Sequence, residues 1–90
     1  PYIKRADRGK YQKVINELAA LIPSDPKERP GNMNYVVSLL LNKVYGSQMR
    51  YADHNEVLGV LSGISQEFYR RSTAPYEDQK IIEQGDLLDL

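Results

Sequence analysis

The densest polar chemistry in this chain lies between Glu67 and Asp78. Tyr69-Arg70-Arg71 and Tyr76-Glu77-Asp78 place two phenols, two guanidiniums and two carboxylates around Pro75. Guanidiniums bind carboxylates or phosphate through charge-assisted hydrogen bonds, and phenols donate to or accept from either. The spacing predicts that Pro75 ends a helix and reverses the chain, so that Arg70 or Arg71 pairs with Glu77 or Asp78. Tyr69, Arg70, Arg71, Tyr76, Glu77 and Asp78 are therefore the candidate binding residues. Left partly unneutralised, they would suit a small anionic ligand or a nucleotide.

Catalytic patterns have little support. The chain has one histidine, His54, and no cysteine, and His54 falls in the first turn of an expected helix, where imidazoles usually face solvent. Serines occur outside any nucleophile-elbow pattern. One nitrogen ligand and no thiolate make a poor transition-metal set. Glu77, Asp78, Glu83 and Asp86 could hold a hard cation, yet their spacing is not that of a calcium loop and a solvated acidic face is the better reading. Glycine-rich phosphate loops are absent. The expectation is a non-enzymatic protein with no metal and no cofactor.

The elements that must position these residues are helices. Tyr11, Val14, Ile15, Leu18, Leu21 and Ile22 recur at steps of three and four, which predicts a helix from Asp7 to Ile22 with Asp7 as N-cap and Pro23 as stop. Residues 23–31, with three prolines, read as a loop. Met33, Val36, Val37, Leu40, Leu41 and Val44 predict a second helix, Met33 to Tyr45, capped by Asn32 and stopped by Gly46. Val57, Leu58, Leu61, Ile64, Phe68 and Tyr69 predict a third, His54 to Ser72, opened by a capping box at Asp53 and Glu56. A short fourth helix is expected over 77–84, stopped by Gly85. The fold class is all-α: a compact three-helix bundle with a short C-terminal helical segment, in one helical domain over residues 1–90.

Glycine in a helix costs about 1 kcal/mol against alanine. Gly59 and Gly63 therefore call for either the close approach of another helix or a tolerant solvent face. With Leu87, Leu88 and Leu90, which have no local partner, they form a candidate interface. Ninety residues bury limited surface, and no disulfide can help. Self-association is the expected source of further burial, and the partner is a second copy or another protein.

Twelve basic and twelve acidic residues balance to zero, which argues against nucleic acid or an anionic membrane as partner. The charge is unevenly spread. Residues 1–30 carry seven basic and four acidic side chains, and residues 61–90 carry three and six. No apolar run nears the ~20 residues of a membrane span, and no signal peptide is legible. The expected location is cytoplasmic. Seven tyrosines against one phenylalanine favour ring-lined surfaces with wet hydroxyls.

Several stretches together resemble a known family. They are Pro1-Tyr2-Ile3, Asn34-Tyr35-Val36-Val37, Gly59-Val60-Leu61, Glu67-Phe68-Tyr69-Arg70-Arg71, Ala74-Pro75-Tyr76-Glu77-Asp78, Lys80-Ile81 and Gly85-Asp86. They look like a family of small uncharacterised proteins of tailed bacteriophages, prophages and marine-metagenome phage contigs. The similarity spans nearly the whole chain, with Pro-Tyr-Glu-Asp its most specific part. The chain departs from it in the proline-rich loop 23–31 and at Leu87-Leu88-Asp89-Leu90. The resemblance implies a phage accessory protein in host cytoplasm, with a host or phage protein as possible partner. It supplies no activity.

Overall fold

The computed structural model describes residues 2–88. A 3-10 turn, Arg5–Asp7, leads into helix α1, Gly9–Leu21; α2 is Arg29–Tyr45; α3 is Tyr51–Phe68; a π-helical turn, Tyr69–Thr73, joins it to α4, Ala74–Gln84. The fold is all-α, with no strand among the described residues. The chain groups into two units, Pro1–Gly46 and Ser47–Leu90.

In the first unit, α1 ends as expected. Ile22 is extended, at φ −82° and ψ 125°, because the ring of Pro23 disfavours helical geometry in the residue before it. The start differs: Asp7 lies in the 3-10 turn and Arg8 precedes α1, with no side-chain cap. Helix α2 begins four residues earlier than the periodicity predicts. Pro30 occupies its first turn, where the missing N–H costs nothing and the fixed φ suits a helix. The Asp25 carboxylate accepts from Lys27 N–H at 2.9 Å, and its carbonyl accepts from Glu28 and Arg29. This turn shortens the expected loop to residues 22–28. Gly46, at φ 81°, closes α2 in the left-handed region open to glycine.

In the second unit, α3 starts at Tyr51, three residues before the expected His54. Asp53 is not the N-cap. It stands in the first turn and its carboxylate accepts from the Arg50 N–H at 2.9 Å, which satisfies a donor that lies ahead of the helix.

The larger difference is at Pro75, which neither stops the helix nor reverses the chain. Phe68, Tyr69, Thr73 and Ala74 all keep right-handed helical angles. A proline inside an α-helix drives its ring into the carbonyl four residues back. Here the preceding turn widens, and Ala74 N–H bonds the carbonyl of Tyr69, five residues back. One extra residue in that turn makes room for the ring, so Pro75 opens α4.

Packing is loose. None of the described residues is fully buried. Half-buried apolar residues gather in α2, at Val36, Val37, Leu41 and Tyr45, in keeping with its long apolar run. The stripes remain largely open: Leu21 is 79% exposed, Val44 70% and Phe68 65%.

Candidate functional site

The π turn decides which residues of the polar segment meet. In an unbroken α-helix, residues 69 and 77 would point about 80° apart. One inserted residue makes their separation equivalent to about seven α-helical steps, or two turns, and brings them within roughly 20°. The Tyr69 hydroxyl accordingly donates to Oε1 of Glu77. The hydrogen bond and negative charge of Glu77, then burial and the charge of Asp78, raise the Tyr69 phenol above its ordinary value near 10. All of these disfavour a phenolate.

The expected pairing of Arg70 or Arg71 with Glu77 or Asp78 does not form. Arg71 Nε lies 3.1 Å from Glu67 Oε1, and Arg70 Nη2 lies 3.7 Å from Glu67 Oε2. The reason is the continuous helix. Glu67 stands three and four residues before the arginines, within reach on one face, whereas Glu77 and Asp78 lie about two turns beyond them. These are exposed pairs, each worth at most about 1 kcal/mol.

A groove of about 510 Å³ runs along α4, lined from Tyr69 to Leu87. It takes in Tyr69, Tyr76, Glu77 and Asp78 from the sequence-predicted set, but neither Arg70 nor Arg71. Lys80, Ile81 and Asp86 complete its chemistry. Lys80 Nζ sits 5.5 Å from the centre of the Tyr76 ring and 3.2 Å from Glu83 Oε2. The four-residue spacing of Tyr76 and Lys80 in the sequence was the signal for that contact. Asp86 Oδ1 accepts from the Leu87 N–H at 2.6 Å, where the chain leaves the helix after Gly85, at φ 89°. Three carboxylates against one ammonium give the groove a negative balance, suited to a cationic or hydrogen-bond-donating partner. Among the described residues, no three His, Asp or Glu side chains gather to hold a metal ion.

Gly59, Gly63, Leu87 and Leu88, from the candidate interface, are exposed. A Cβ added to Gly59 or Gly63 would meet nothing within 4 Å, so no helix of their own unit approaches them closely. Leu87 is 97% exposed and Leu88 62%. Leu90 lies outside the described residues. His54, on the first turn of α3, is exposed. Among the described residues, no helix is long and apolar enough to cross a membrane.

A family profile described as Domain of unknown function (DUF6899) matches residues 1–87. No curated protein matches the chain, and no solved structure does.

Proposed function

We propose, from the premise that this chain belongs to the DUF6899 family, that it is a non-enzymatic accessory protein that works by self-association. The observation that carries this reading is the exposure of its apolar stripes. Among the described residues no side chain is fully buried, while Ile15, Leu40, Leu58, Ile64 and Phe68 are each more than half exposed. Residues of this kind gain roughly 1.5–3 kcal/mol each on full burial. A second copy presents equivalent stripes and supplies the missing contact area. Gly59, Gly63, Leu87 and Leu88 belong to this proposed interface. The phage and host-cytoplasm setting is part of the proposal and is supported by the sequence resemblance.

An anion- or nucleotide-binding role for Arg70 and Arg71 is less well supported. Both guanidiniums share the Glu67 carboxylate, and the groove along α4, which takes in neither, is acidic.

Light scattering on the purified chain at micromolar concentration tests the proposal. The expected mass is that of a dimer or larger assembly. A clean monomer of 10.3 kDa across that range refutes it.

A further inference from the structure

The groove along α4 has an occupant of matching chemistry in the first residues of the same chain. We infer that the segment Tyr2-Ile3-Lys4-Arg5 of one copy docks into the α4 groove of another, a mode of assembly that rests on the self-association proposed above. Three observations support it.

The first is charge. The groove carries Glu77, Asp78 and Asp86 against Lys80. Asp78 makes no hydrogen bond or ion pair with another described residue, which leaves its carboxylate available. Lys4 and Arg5 are exposed, and among the described residues neither makes an ion pair. Two unneutralised cations thus face a surface with a surplus of two anions.

The second is shape. The segment precedes the 3-10 turn and is not helical; Lys4 sits at φ −59° and ψ 144°, the polyproline-like region. Three residues in that form span about 10 Å. Helix α4, with its eleven residues, is about 16 Å long. A groove of 510 Å³ accepts a few side chains and excludes a whole helix. Ile3, 51% exposed, matches the apolar wall formed by Ile81 and Leu87.

The third is preorganisation. Arg8 Nε donates to the Ile3 carbonyl at 3.1 Å, which ties the segment to the start of α1 and lowers the cost of ordering it on docking. The contact joins two different surfaces. Two copies close it by reciprocal exchange, and more copies extend it as a ring or chain.

The test is charge reversal in the full chain, read by sedimentation velocity at low salt, with circular dichroism as the check on helicity. Lys4→Glu with Arg5→Glu should weaken association roughly tenfold, and Asp78→Lys with Asp86→Lys should do the same. Combining all four changes should recover most of the loss, because the attraction returns with its sign swapped. If a reversed variant loses helicity, the neutral Lys4→Gln, Arg5→Gln and Asp78→Asn, Asp86→Asn variants are read in its place, with a smaller loss expected. A wild-type chain that associates while every variant matches it overturns this docking mode and leaves self-association standing. A monomeric wild-type chain overturns both.

Discussion

Replacing Pro75 by alanine separates the two accounts of how this proline acts. A proline left inside a regular α-helix costs about 3 kcal/mol or more, from the ring clash together with a lost hydrogen bond. If Pro75 strained the helix in that way, Pro75→Ala would stabilise the chain by about that amount. Here the π turn already relieves the clash, as Ala74 N–H reaches back five residues. What alanine can still restore is one backbone hydrogen bond, worth about 1 kcal/mol. Against this, alanine frees the unfolded chain at a cost of about 0.4–1 kcal/mol. The net change should stay within about 1 kcal/mol. Geometry should change far more than stability. Without the ring, the turn relaxes to α-helix, everything after it rotates by about 100°, and Tyr69 and Glu77 part. The assay is urea unfolding by circular dichroism at one fixed protein concentration, paired with ultraviolet titration of the tyrosines against a Tyr69→Phe reference. In Pro75→Ala the Tyr69 phenol should return to its ordinary range. A gain near 3 kcal/mol, or a Tyr69 titration that stays raised, would refute the reasoning.

Three further outcomes follow from single contacts. In Glu77→Gln the Tyr69 phenol should fall toward its ordinary value, since the charge that opposes the phenolate is gone. Because the folded value is the raised one, the stability from this contact is present below about pH 10 and is lost as pH rises through the folded value; identical alkaline titrations of the two proteins would contradict this. Gly59→Ala and Gly63→Ala should each raise helix stability by about 0.5–1 kcal/mol, because the new methyl meets open space, and should weaken association by crowding the proposed interface. Unchanged light scattering would remove these glycines from it. Glu67→Gln should cost less than about 1 kcal/mol, since both its arginine partners are exposed; thermal unfolding shows whether the pair matters more than that.

Helix periodicity and stop residues were legible in the sequence because they are local. Gly46, Gly85 and Pro23 end their helices where the pattern breaks. Starts were harder to read. Pro30 looks like a loop residue until it is seen as helix-compatible in a first turn, and Asp53 serves the N-terminus of α3 from inside the helix. At the candidate site, the residue types were readable and their partners were not. The decisive event is a turn one residue too wide at Tyr69–Thr73, and sequence periodicity gives no advance sign of it. That turn moved the contact of Glu77 from an arginine to Tyr69 and left Arg70 and Arg71 with Glu67. The groove was missed for a related reason. Tyr76, Lys80 and Ile81 share it with Asp86 and Leu87, which lie on either side of a helix end and have no common period.

The same wide turn makes the chain tolerant of a length change at one place. Deleting a single residue between Tyr69 and Thr73 would close the π turn to an ordinary α turn and leave the sequences of α3 and α4 intact. The deletion would bring Pro75 into collision with the carbonyl four residues back unless it were replaced at the same time. Loss of the extra residue is therefore costly while the proline stays and mild when the proline is lost with it. Related chains one residue shorter here should also lack the proline, and they would keep the α4 groove, with its carboxylates, on the same side of the helix.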